Sequence, residues 1–246
     1  MNEESGTIDG PNGLIAYRRI AGDGPAIVWL GGFKSDMTGT KAGAIAAWAA
    51  SAGRAYVRFD YSGHGASEGR FEDGTISAWL ADALAAIEQL TKGQVLLVGS
   101  SMGGWIAALA AMRLEARLAG IVLIAPAADF TEELIWAQMT GPEREGVLRD
   151  GRLVEHSPYS EEPTIITRAL IEDGRNHLIL GGSIAIACPV RILQGMADPD
   201  VPWRHALRMA ECLVTDDLEV TLIKSGDHRL SKPHQLAKLM EAIAAI

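Results

Sequence analysis

Val95-Leu96-Leu97-Val98-Gly99-Ser100-Ser101-Met102-Gly103-Gly104-Trp105 is the stretch on which the fold is decided. Its first four residues form an apolar run without polar alternation, the pattern of a strand covered on both faces. From Met102 to Leu114 the chain becomes alanine-rich and reads as a helix. Ser101 stands at the join, where the backbone must reverse within about one residue and is held in a strained conformation. Gly99 and Gly103 flank it, so strand and helix backbones can approach closely. Such a hinge lifts the Ser101 hydroxyl out of the sheet. It also puts the Met102 amide at a helix N-terminus, where donors lack partners and negative charge is favoured. Ser100 is expected to point into the sheet.

Outward from this hinge, short apolar runs recur at residues 26–30, 55–60, 120–125, 190–193 and 220–223. Helical stretches lie at 41–52, 75–91, 102–114, 203–213 and 232–246. The second carries Ile76, Trp79, Leu80, Ala83 and Ile87 on one stripe. Strands separated by such helices imply crossover connections and an α/β fold, a mostly parallel sheet with helices on both faces. Residues 7–9 and 14–20 flank the turn-rich Asp9-Gly10-Pro11-Asn12-Gly13, which predicts an N-terminal antiparallel hairpin. From Ala127 to Ala187 no clear buried strand occurs, and two helix-like pieces, 132–139 and 164–172, break the rhythm. Structureless loops of that length are rare in compact domains. The chain, 1–246, is therefore expected to be one domain with a helical cap inserted at about residues 128–187. Insertions at the carboxyl ends of parallel strands cover the ligand crevice.

Acidic side chains outnumber basic ones 31 to 22, a net charge of −9 that repels phosphate backbones and argues against nucleic acid as a partner. Cys188 and Cys212 have no CxxC neighbours, which excludes a cysteine-rich zinc site; both read as small buried hydrophobes. The longest uncharged stretch, 93–112, changes from strand-like to helix-like halfway, so it reads as the centre of the fold and not as a membrane span. Residues 1–13 are polar and acidic with no apolar run. Without a visible leader, a cytoplasmic protein is expected.

Gly99-Ser100-Ser101-Met102-Gly103 matches G-x-S-x-G, which sets a nucleophilic serine between strand and helix. Gly65-Ala66-Ser67-Glu68-Gly69 matches too, but it lies in a polar run ending in Glu68, Arg70, Glu72 and Asp73. A serine hydroxyl attacks only with a base beside it. Among the 6 histidines, His228 alone follows a late strand, 219–224, through a short Ser225-Gly226-Asp227 turn. His64, in Asp60-Tyr61-Ser62-Gly63-His64-Gly65, is the second candidate. His156, His177, His205 and His234 lie in the insertion or on helical faces. The base in turn needs a carboxylate to fix its tautomer. Asp198 follows the run at 190–193, with Pro199 restraining its loop; Asp200 is the runner-up, and Asp227 is expected to shape its own turn. Gly31-Gly32-Phe33 ends the run at 26–30, so the Phe33 amide can join that of Met102 as an oxyanion hole.

Taken together these residues resemble an α/β-hydrolase, in which serine, acid and histidine follow in the order Ser101, Asp198, His228. Gly39-Thr40-Lys41-Ala42, Arg58-Phe59-Asp60-Tyr61-Ser62-Gly63, Ser100-Ser101-Met102-Gly103-Gly104-Trp105, Val201-Pro202-Trp203 and Asp227-His228-Arg229 are similar to blocks of one subgroup. That subgroup holds the mitochondrial palmitoyl-protein thioesterase, also described as an acyl-glucuronide esterase, and its bacterial relatives. The resemblance implies Ser101 as nucleophile, Asp198 as acid and His228 as base. It implies hydrolysis of acyl esters or thioesters, without a metal or an organic cofactor. The expected partner is a small-molecule acyl ester or thioester, or an acylated protein. In the insertion, Leu134, Ile135, Trp136, Met139, Ile165, Ile166 and Leu170 are candidates for an apolar acyl pocket. Packing of the insertion onto the main domain is the other reading of the same residues.

Two further chemistries, carbon–carbon bond hydrolysis and perhydrolysis, can use the same serine. A non-catalytic binding protein on this scaffold would lack one member of the triad. Gly63-x-Gly65-x-x-x-Gly69 follows a dinucleotide loop only faintly, because position 68 is glutamate and no helix starts within it.

Overall fold

The computed structural model describes residues 3–155 and 163–246. The chain opens with β1 (Glu4–Gly10) and β2 (Gly13–Ile20), paired antiparallel with Gly10 opposite Gly13. Strand and helix then alternate through β3 (Asp23–Leu30), α1 (Thr40–Ala52), β4 (Arg54–Phe59), α2 (Ile76–Leu90), β5 (Val95–Ser100), α3 (Met102–Leu114) and β6 (Leu118–Ile124). The insertion follows. It holds a π-helical turn (Thr131–Ile135), a 3-10 turn (Trp136–Gln138), α4 (Gly141–Asp150), β7 (Arg152–Glu155), β8 (Thr164–Thr167) and α5 (Arg168–Gly174). The alternation resumes with β9 (Val190–Gly195), α6 (Trp203–Cys212), β10 (Leu218–Ile223) and α7 (Pro233–Ala244).

The main sheet runs β1-β2-β4-β3-β5-β6-β9-β10, parallel from β4 to β10. Two antiparallel pairings, β1 with β2 and β2 with β4, close its other end. From β3 the chain moves to β4 on one side, then crosses to β5 on the other. The crevice beyond the carboxyl ends of β3 and β5 is therefore the switch point of the sheet, where open α/β sheets bind their ligands.

The central strands are apolar on both faces because both faces are covered. Val28, Leu30, Val95 and Leu97 pack into one core with Trp79 and Trp105. Their neighbours Ile27, Trp29, Leu96 and Val98 pack into the other with Ile45 and Leu239. The period of two along a strand divides each run between the two layers. Helix α2 starts where the Thr75 hydroxyl accepts the Ala78 amide at 3.1 Å, an N-cap of the usual kind. Helix α3 is buried along residues 102–111, and its alanines let it lie close to the sheet.

The insertion is helical in larger part, but residues 164–167 depart from the expected helix. Thr164–Thr167 instead pairs antiparallel with Arg152–Glu155 as a two-stranded ribbon. Its sequence, Thr-Ile-Ile-Thr, is wholly β-branched, which favours a strand over a first helical turn. The unforeseen helix α4 begins with a capping box between Thr140 and Glu143 and ends at Gly151, φ 77°. His156 and Tyr159 lie outside the described residues. Among the described residues, no helix is long and apolar enough to cross a membrane.

Candidate active site

Ser101 sits between β5 and α3 with φ 57° and ψ −121°, a conformation that L-residues rarely adopt. Three hydrogen bonds hold it there. Its amide donates to the Ile124 carbonyl at 2.9 Å, and its carbonyl accepts the Gly104 and Ala127 amides at 2.9 and 3.1 Å. Strain of this kind persists only where the surroundings over-determine it. A Cβ on Gly99 would lie 2.2 Å from the Gly103 carbonyl oxygen, and one on Gly103 would lie 2.1 Å from that of Leu30. The hinge therefore requires both glycines.

His228 and Asp198 arrive on the loops that follow β10 and β9. Those loops touch: a Cβ on Gly195 would lie 2.3 Å from the Gly226 carbonyl oxygen. His228 Nε2 is 3.1 Å from Ser101 Oγ, and its Nδ1 is 2.8 Å from Asp198 Oδ2. The Asp198 side chain is fully buried, whereas that of His228 is about a quarter exposed, at 24%. Asp198 Oδ1 accepts the Asp200 and Val201 amides, each at 2.9 Å, and Oδ2 also accepts Gln194 Nε2 at 3.2 Å. Burial pushes the Asp198 carboxyl upward. The hydrogen bond and charge of His228, with the two amides, outweigh that and hold it below its ordinary value. The carboxylate is thus anionic and committed to its neighbours. Asp198, Asp200 and His228 also offer ligand atoms within 4.8 Å of one another, but both Asp198 oxygens are engaged in these hydrogen bonds.

The loop after β3 passes beside the serine. A Cβ on Gly32 would lie 3.3 Å from the Ser100 carbonyl oxygen and from Ser101 Cβ, which brings the Phe33 backbone alongside. The Phe33 ring is held edge-on by Phe71 and Trp79, with centroids 4.8 and 5.8 Å away. Two lobes meet at Ser101 and His228. One, about 330 Å³, is bounded by Phe33, Met102, Phe130, Leu134, Ile135 and Ile166. The other, about 630 Å³, carries the charged and polar side chains of Lys34, Ser35, Lys41, Asp227 and Arg229.

Three of the expected acyl-pocket residues, Leu134, Ile135 and Ile166, reach the first lobe. Trp136 instead stacks with the Arg144 and Arg175 guanidinium groups, 5.5 and 4.9 Å from its ring. Met139 packs with Val147 and Ile171 in a small core of the insertion's own. Ile165 lies opposite Val154 in the ribbon, and Leu170 joins the main core. Phe130, Gln138 and Val201 were not foreseen in the lobe, since only the folded loops bring them to it. The rival candidates have other employment. Ser67 Oγ donates to the Asp60 carbonyl at 2.6 Å and accepts the Ala16 amide at 2.9 Å. His64 is buried among Tyr61, Phe71 and Trp79, with Nδ1 3.2 Å from the Ser62 carbonyl oxygen. A Cβ on Gly65 would meet the Asp60 carboxylate at 2.1 Å, so this loop folds onto its own side chain and not around a phosphate. His205 and His177 contact the Ala128 carbonyl and the Ser77 hydroxyl, each at 2.7 Å, and His234 is exposed on α7.

Residues 26–164 match the serine aminopeptidase S33 family of hydrolases, more than half of the chain. The mitochondrial palmitoyl-protein thioesterase ABHD10 of Bos taurus is 37% identical over 236 residues, 96% of this chain and 76% of its own length. This chain belongs to the α/β-hydrolase family. A crystal structure from Agrobacterium vitis S4 superposes on this hydrolase with a TM-score of 0.96 at 48% identity, covering 100% of this chain and 99% of that one. Alpha/beta hydrolase domain-containing protein 10 from mouse superposes with a TM-score of 0.91 at 32% identity, covering 98% and 97%. The expectation of a cytoplasmic protein is corrected here, because the curated relatives that match nearly the whole chain are mitochondrial. A targeting leader is an address removed from the mature protein, so the folded part of a sequence does not record its compartment.

Proposed function

We propose that this hydrolase cleaves acyl thioesters and carboxylic esters through an acyl-enzyme on Ser101. One observation carries the reading: the line from Asp198 through His228 to Ser101, with steps of 2.8 and 3.1 Å. His228 takes the Ser101 proton through Nε2 as Oγ attacks the acyl carbonyl carbon. Asp198 holds the Nδ1 proton and stabilises the imidazolium that forms. The carbonyl oxygen becomes anionic, and the Phe33 and Met102 amides are its donors. Each such donor is typically worth ~10²–10³ in rate. His228 then hands its proton to the departing thiol or alcohol. Water, deprotonated by the same imidazole, attacks the acyl-enzyme and releases the acid.

The acyl chain belongs in the lobe of about 330 Å³, against Phe130, Leu134 and Ile166. The insertion, residues 128–187, acts as a cap within a single domain and supplies all three of those side chains. Relatives named palmitoyl-protein thioesterase support a thioester, and an acylated protein, as the substrate class. Turnover of thioesters and p-nitrophenyl esters of graded chain length, with wild type beside Ser101→Ala, tests this. A burst with the wild type and its loss in the variant are expected. Full turnover by Ser101→Ala overturns the mechanism.

A further inference from the structure

Lys41 is badly placed for a residue whose only task is solubility. It stands in the first turn of α1, where the helix presents its positive end and no acidic residue offsets the charge. Its side chain is half-buried and lines the lobe of about 630 Å³ beside Ser101 and His228. Charged and titratable groups face it from the neighbouring loops: Asp227, His228 and Arg229 after β10, Asp198 and Asp200 after β9, and Lys34 after β3. Lys41 Nζ donates to the backbone carbonyl of Arg229 at 2.5 Å, immediately after His228 in the chain. The turn it grips is strained, because Leu230 has φ 46°. Within that turn the Leu230 amide donates to Asp227 Oδ1 at 3.0 Å.

We infer that Lys41 is a positioning residue: its ammonium clamps the backbone of the turn 227–230 and so keeps the His228 imidazole aligned on Ser101. The inference rests on the acyl-enzyme reading above. A charge-assisted hydrogen bond to a carbonyl is about twice as strong as a neutral one, so the clamp weakens when the ammonium loses its proton. Burial, only partly offset by Asp227 and Asp198, lowers Lys41 to about 8. Alignment of the base is therefore lost as pH rises through that value. A cation held against desolvation and a helix N-terminus also destabilises the fold, which separates this role from a structural one.

The test compares wild type, Lys41→Met and Lys41→Arg on one p-nitrophenyl ester, recording kcat, KM, the pH profile and Tm. Wild-type kcat is expected to fall above about pH 8. Lys41→Met is expected to lose roughly 10- to 10²-fold in kcat with KM held, the scale of a small misplacement of a catalytic group. It should show no alkaline limb, and its Tm should not drop. Lys41→Arg should recover most of the rate and carry the plateau beyond pH 9. A rise in KM with kcat intact would instead make Lys41 a substrate-binding charge and overturn the inference. A Tm that falls in step with kcat, or an alkaline limb unchanged in Lys41→Met, would overturn it as well. An enzyme that requires Ser101 but ignores Lys41 sinks this inference alone, whereas turnover indifferent to Ser101→Ala sinks the acyl-enzyme reading beneath it.

Discussion

Residues 65–69 and 99–103 obey the same five-residue pattern, glycine–x–serine–x–glycine, and have opposite fates. Ser101 follows a fully buried strand and opens a helix, in a left-handed conformation, with its hydroxyl 3.1 Å from an imidazole. Ser67 follows a strand only after a polar loop, and its hydroxyl is consumed by two backbone hydrogen bonds. The motif's letters are thus insufficient. What sets Ser101 apart is a strand ending at the switch point of the sheet, a helix beginning at once, and glycines that let the two backbones touch.

The sharpest way to break this contrast is to remove each hydroxyl. Ser101→Ala is expected to lower kcat by about 10⁴-fold or more, by analogy with other serine triads. Ser67→Ala should leave kcat unchanged and lose about 1–3 kcal/mol of stability in urea titration, the cost of stranding buried partners. Next in size on the rate is Asp198→Asn, expected to reduce kcat by ~10³–10⁴ through the wrong imidazole tautomer, while CD and Tm stay near wild type. Gly103→Ala should fail to fold, or lose more than about 3 kcal/mol, because its Cβ would meet backbone and not a movable side chain.

The smallest expected effect lies in the loop of the rival serine. Burial lowers the pKa of His64 from 6.5, so the native chain holds this imidazole neutral at pH values where the unfolded chain protonates it. Between its lowered value and 6.5 the unfolded state binds more protons, so stability should decline as pH falls through that window. His64→Phe, which keeps a ring in the aromatic surround, should flatten that decline without altering the rate profile. If the variant changed the rate profile as strongly as Asp198→Asn, the division between a chemical loop and a structural loop would collapse.

The strands, and the three distant residues that the fold brings together at the candidate site, were legible because each leaves a local mark. Ser101 follows an unbroken apolar run buried on both faces, Asp198 follows a fully buried strand, and His228 follows the partly exposed edge strand Leu218–Ile223 through a short turn. The insertion carries no such mark. Its ribbon is too short for period two to announce itself, although the four β-branched residues at 164–167 were a usable signal. Trp136 looked like pocket lining because an aromatic side chain is apolar by composition, whereas the guanidinium groups of Arg144, on the next helix, and Arg175, far along the chain, turn its ring into a stacking face. In the sequence Lys41 has no role of its own, because only the fold sets its ammonium against the carbonyl of Arg229.

The most direct test is to trap the covalent intermediate. Wild-type enzyme is mixed with a p-nitrophenyl ester, quenched in acid during the burst, and its peptides are mapped by mass. The acyl mass is expected on the peptide containing Ser101, and it should vanish in His228→Ala. Turnover with no acylated peptide, or an adduct on the peptide containing Ser67, would contradict the account.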